Sequence, residues 1–288
     1  MSAKVYEMVT EKIITQLENG IIPWRRTWSA GGLPKNAVTK KEYRGMNMFL
    51  LGDYACPFWG SFKQINDLGG SVLKGEKSSL CVFWKLFDVE DELDENGKPK
   101  KIPMLRYYNV WNISQTTLAD DPRFSFDTEK NDKIAEAEWI IANMPNRPSL
   151  EKKFEKAFYN TVFDCVNVPD IKYFKDADSY YSIMFHELAH STGHKSRLDR
   201  ETVTEAAAFG SETYSKEELV AEMGSAFISA SCGIVNSTLE NSAAYIGNWL
   251  HKLKDDKRMI VFAAAAAQKA ADYILGKNQE EAKAEEVA

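Results

Sequence analysis

One five-residue segment, His186-Glu187-Leu188-Ala189-His190, limits the choice of fold more than anything else in these 288 residues. In an α-helix, residues four apart stand on one face, so the segment brings two imidazoles to one point with a carboxylate beside them. Its neighbours Ile183, Met184 and Phe185 make a helix of the buried type, where such polar groups are costly unless something pairs with them. Zinc would supply that partner. It accepts neutral imidazole at about 2.0–2.1 Å, and catalytic sites keep one position open for water. The ion brings that water's pKa towards about 7, and an adjacent carboxylate can remove its proton. H-E-x-x-H is the sequence form of this arrangement. His186 and His190 are therefore the expected ligands and Glu187 the expected general base.

A third ligand is required. His194 follows four residues after His190, but Gly193 is expected to end the helix and turn it away. The third histidine of a metzincin would fall at position 196, which is serine, so that class is excluded. The next amphipathic segment, Lys216 to Phe227, carries Glu218 and Glu222 at i, i+4, with small neighbours Ala221, Gly224 and Ser225 that permit close approach of two helices. Glu218 is the expected ligand and Glu222 the expected acceptor for a histidine N–H. The reverse assignment stays open, and Glu217 is expected on a solvated face.

The length favours two domains. The charge balance divides the same way: residues 1–87 carry 12 Lys/Arg against 7 Asp/Glu, and the rest 24 against 35, for a net −6. Helical spacing of Val5, Ile13 and Leu17 predicts a first helix stopped at Asn19-Gly20. Residues 80–84 and 106–111 read as strands of a small sheet, and the acidic run 88–98 between them as a solvated hairpin loop or insertion. Residues 114–127 read as a linker. Helices are then expected at 130–143, 150–159, 178–192, 215–231 and twice within 239–275, before a frayed Glu/Ala/Lys tail at 276–288. The four cysteines form no C-x-x-C pair, which predicts reduced thiols in a cytoplasmic protein. The alanine-rich stretch Ile260 to Ala271 is too short to span a membrane, so no membrane partner is expected.

The front half interleaves Trp24, Trp28, Tyr43, Trp59, Phe62, Trp84, Tyr107 and Trp111 with Arg and Lys. Aromatic platforms in a positive groove are a general means of holding single-stranded nucleic acid. Core packing explains any one of these tryptophans at least as well.

Three front segments, Ile22 to Trp28, Lys35 to Asn47 and Lys74 to Ser79, together with Tyr107 to Gln115, resemble the N-terminal domain of ArdC-type antirestriction proteins. Phe185 to His194, Ser196-Arg197-Leu198 and the Glu218 segment resemble the metallopeptidase domain that follows it in that family. The resemblance implies an α+β chain, with a small mixed α/β sheet domain at 1–125 that binds single-stranded DNA. It implies a mainly helical, zincin-like domain at 126–288, with Zn²⁺ on His186, His190 and the helix glutamate, and Glu187 as base. It further implies protection of incoming DNA on mobile elements. The chain departs from the family in having Thr27 where a second proline is usual, and in the acidic residues 88–95. The side chains expected to meet DNA are Trp24, Arg25, Arg26, Tyr43, Arg44, Asn47, Lys74 and Lys77. Three readings are open: a DNA-binding peptidase, a non-catalytic DNA-protection factor with a structural or vestigial metal site, and a front module that recruits a peptide or protein substrate.

Overall fold

The computed structural model describes residues 2–25, 32–51, 54–93, 99–126, 133–204, 212–234 and 243–277. The first helix forms where its apolar spacing places it: α1 (Ser2–Glu18) buries Val5, Val9, Ile13 and Leu17 along one stripe. A 3-10 turn (Pro23–Arg25) follows. The front sheet comprises β1 (Lys35–Asn36), β2 (Phe58–Ser61), β3 (Ser79–Leu93) and β4 (Pro99–Asn112) in the order β1-β2-β4-β3. The β1–β2 pair is parallel and the others antiparallel. Between the strands lie α2 (Met46–Leu50) and α3 (Phe62–Asp67), the latter started by a Ser61/Gln64 capping box.

In the front half, two expectations do not hold. Residues 88–93 continue β3 and residue 99 already belongs to β4, so most of the acidic run is strand, with residues 94–98 outside the described set. Residues 114–127 are no bare linker: short 3-10 turns at Ile113–Gln115 and Pro122–Phe124 bury Ile113, Leu118 and Phe124 against Ala37, Phe58 and Ile65.

The rear half begins with α4 (Lys133–Asn143) and then forms a three-stranded sheet, β5 (Ser149–Glu151), β6 (Phe158–Asn160) and β7 (Cys165–Asn167), ordered β5-β7-β6. A helix over 150–159 is therefore wrong. Next come α5 (Ala177–Ser191), α6 (Glu201–Thr204), α7 (Glu212–Ser231), α8 (Ala243–Asp255) and α9 (Met259–Ile274). The hydrophobic core packs α7 against α5 and α9, with β6 and β7 lying on α5. Gly224 sits at the α5–α7 crossing, where a Cβ would lie 3.2 Å from that of Ala189. Ser225 Oγ donates to the Ser182 carbonyl across the same crossing at 2.7 Å.

The core does not stop between the halves. One buried cluster includes Val5, Trp24, Val82 and Leu105 from the front and Phe185, Leu219, Ile260 and Ile274 from the rear. The rings of Phe49 and Phe227 stack across the junction at 5.0 Å. Among the described residues, no helix is long and apolar enough to cross a membrane.

Candidate metal centre

Asp176 starts α5 by accepting the Ser179 N–H, and Tyr181, Phe185 and Leu188 bury one side of the helix. That fixes the azimuth of His186 and His190 on the side that meets α7. Their Nε2 atoms approach to 3.1 Å. Glu218 projects from α7 with Oε2 3.6 Å from His186 Nε2 and Oε1 3.5 Å from His190 Nε2. Two imidazole nitrogens and one carboxylate oxygen thus fall within 4.8 Å of one another. A tetrahedral ion with bonds of about 2.0–2.1 Å requires donor separations of about 3.3–3.4 Å, so this donor set fits a divalent cation. Burial alone would lower the His186 pKa, but the Glu218 hydrogen bond and the charges of Glu187, Glu218 and Glu222 push it up to about 9. The pocket is built to hold positive charge. Glu187 sits within it, buried, one residue from His186.

His194 is not in the cluster; its Nδ1 pairs with Ser196 Oγ at 2.8 Å. The helix ends as expected at Gly193, where space is the reason for glycine: a Cβ there would lie 2.4 Å from Val203 Cγ2.

The two remaining carboxylates, Glu217 and Glu222, are both buried. Glu217 is buried rather than solvated and lies 3.3 Å from His190 Nδ1. Burial would raise its pKa, yet hydrogen bonds from His190 and Arg200 hold it at about 2. Glu222, expected at a histidine N–H, has an Oε2 that accepts from Trp24 Nε1 at 2.8 Å and from the Tyr245 hydroxyl. Sequence patterning missed Glu217 because the residues that bury it, Arg200 and Thr202, come from the connection before α7. An acidic residue next to the candidate ligand Glu218 was the one signal available.

The expected DNA-contacting residues divide. Trp24 is fully buried and offers no ring face to a base, because its indole is committed to Glu222. Asn47 grips the edge of β3, donating to the Val82 carbonyl at 2.7 Å and accepting its N–H at 2.8 Å. Arg44 forms an ion pair with Asp272 of α9. Tyr43 is buried, which pushes its phenol up to about 12. Lys74 and Lys77 are exposed. Arg26 and the Arg25 side chain lie outside the described residues, as does Trp28. A cleft of 1010 Å³, away from the metal centre, is lined by Tyr43, Arg44, Phe83, Lys85, Tyr107 and Gln268 among others. Phe83 and Lys85 were not among the expected residues, although strand alternation sets residues 81, 83 and 85 on one face.

A family model of zincin-like metallopeptidases matches residues 135–267, and a model of the N-terminal domain of anti-restriction factor ArdC matches residues 3–111. Two Escherichia coli sequences named DNA primase TraC are 33% and 34% identical to 96% of this chain, which spans 20% and 27% of their length. Crystal structures of antirestriction ArdC protein from R388 plasmid superpose with a TM-score of 0.73. The metal-free structure is 34% identical, covering 97% of this chain and 98% of that one, and the Mn(II)-bound structure is 32% identical, covering 94% and 97%. With the likeness extending over nearly the whole of a solved ArdC chain, this α+β chain belongs to the ArdC antirestriction family and carries a zincin-like metallopeptidase domain in its rear half.

Proposed function

We propose that the chain is an antirestriction factor that binds single-stranded DNA through its front half and hydrolyses peptide bonds at a zinc centre in its rear half. The observation that carries the hydrolytic reading is the convergence of His186, His190 and Glu218 beside the buried Glu187. These three side chains would hold Zn²⁺, and the Mn(II)-bound ArdC relative makes Mn²⁺ the second candidate. When bound, the ion supplies a Lewis acid to the scissile carbonyl and lowers the pKa of water. Glu187 accepts the proton of the attacking water and delivers it to the leaving amine. Glu217 holds the ring of His190 by its outer nitrogen.

The front half holds DNA by exposed cations and rings. Of the residues that line the cleft, Phe83 is 38% exposed with the exposed Lys85 on the same strand face, and Tyr107, opposite Val82 on the other face, is 46% exposed; each ring is open enough to stack a base. Lys74 and Lys77 add phosphate contacts. Protection of incoming DNA from restriction follows the family and is part of this proposal.

The test is Glu187→Gln in the full chain, assayed for cleavage of mixed protein substrates, metal content and binding of labelled single-stranded DNA. Loss of cleavage by at least about 100-fold, with metal and DNA binding retained, is the expected result. Substantial residual cleavage sinks the base assignment. DNA affinity that does not fall as salt rises sinks the DNA reading, since phosphate contacts release counterions.

One observation favours a second reading, a non-catalytic protection factor. Trp24 of the front reaches Glu222 on the helix that carries Glu218, so a metal on α7 could brace the front half. That reading predicts that His186→Ala weakens DNA binding while no substrate is cleaved by the wild type.

A further inference from the structure

We propose that Arg200 is a positioning residue of the metal centre: it locks Glu217, and through Glu217 the ring of His190, so that His190 Nε2 stays aimed at His186 and Glu218. This rests on the metal-centre reading above, and not on hydrolysis. The Arg200 guanidinium meets Glu217 as a fork, Nε to Oε2 at 3.1 Å and Nη2 to Oε1. Nη1 donates to Thr192 Oγ1 at 2.6 Å and Nη2 to the Ala189 carbonyl at 2.9 Å. The Thr202 hydroxyl donates to Glu217 Oε2 as well. With both carboxylate oxygens held, Oε1 faces His190 Nδ1. A neutral imidazole, the form that binds a metal, presents an Nε2 lone pair when its Nδ1–H goes to a carboxylate, and Nε2 is the atom facing the other two candidate ligands.

The same guanidinium therefore ties the end of α5 to α7 and sets the spacing of the helices that carry the ligands. A lysine could not replace it, because a point charge lacks the planar fork that takes both oxygens at once. The backbone makes room for the group: a Cβ at position 193 would stand 3.0 Å from Arg200 Nη2. Arg197, three residues earlier, supplies a control. It pairs with Asp164, which fastens the β6–β7 turn to the same connection without touching Glu217.

The experiment measures Zn²⁺ affinity by competition with a chromophoric chelator, and the visible bands of Co²⁺-loaded protein. The full chain is compared as wild type, Arg200→Met, Thr202→Val and Asp164→Asn. Loss of the outer partner of a metal-bound histidine lowers affinity about 10–100-fold, and that is the fall expected for Arg200→Met, with altered Co²⁺ bands. Thr202→Val is near-isosteric and reports on the same carboxylate should Arg200→Met fail to fold; its expected loss is several-fold, while Asp164→Asn stays within about twofold. Wild-type affinity and bands in both Arg200→Met and Thr202→Val overturn the role. So does an equal loss in Asp164→Asn, which would reduce Arg200 to scaffold. A wild type that takes up neither metal overturns the metal-centre reading, and this role with it.

Discussion

Glu217 illustrates how far a residue's surroundings can depart from its local pattern. It follows Lys216 and precedes Glu218 in a run that reads as a charged helix face, yet it is buried against Arg200, Thr202 and His190. Its pKa is depressed from 4.5 to about 2. A carboxylate whose folded pKa is lowered contributes stability above its unfolded pKa and loses it as pH falls through the folded value. Glu217→Gln is therefore expected to cost about 3 kcal/mol at pH 7, the equivalent of the shift. The gap between wild type and variant should shrink as pH drops below about 4.5, reaching roughly half at pH 3. Urea unfolding at pH 7 and pH 3 measures it, and an undiminished gap at pH 3 would contradict the assignment. The grouping of His186 and His190 was legible because both lie on one helix, where spacing fixes the face, while Glu218 and Glu222 share a face and spacing did not choose between them. The Glu217 partners were not, because a connecting segment supplies them and no period runs through it.

At the scale of elements, the same distinction separates what spacing can and cannot reveal. The α7 stripe and its small residues foretold a close α5–α7 crossing, and Gly224 against Ala189 is that crossing. Leu150, Phe154 and Phe158 mimic a helix by their four-residue spacing, yet they belong to β5, a turn and β6. Leu150 and Phe154 are at least one-third exposed, so their spacing reflects no buried stripe. Strands of three residues are too short to show alternation, which hid the rear sheet. Gly224→Leu tests the crossing. Extra side-chain volume in a packed interface costs about 1–3 kcal/mol, and the displacement would carry Glu218 away from the histidines. Lower thermal stability together with at least about tenfold weaker Zn²⁺ binding is expected. A stable variant with unchanged metal affinity would mean that the crossing does not set the ligand spacing.

For the whole molecule, the question is whether the division at residue 125 is a division of stability. Trp24 was expected to face DNA because its neighbours in sequence are basic; its actual partner, Glu222, lies 198 residues on, beyond the reach of any local pattern. That hydrogen bond, the Phe49–Phe227 stack and the Arg44–Asp272 ion pair all join front to rear through a single buried cluster. Inter-domain surfaces that slide or open are polar, whereas one hydrophobic cluster runs through both halves here. The chain is therefore expected to unfold in one calorimetric transition, with van't Hoff and calorimetric enthalpies equal. Trp24→Phe keeps most of the ring but removes the indole N–H from Glu222, and should destabilise by about 1–3 kcal/mol. Because the core is shared, that loss should appear equally in a probe on the front sheet and in one on α7. Hydrogen exchange of β4 and α7 amides reads both at once. Protection lost in β4 alone, or two resolved transitions in the wild type, would show that the halves fold independently despite their common core.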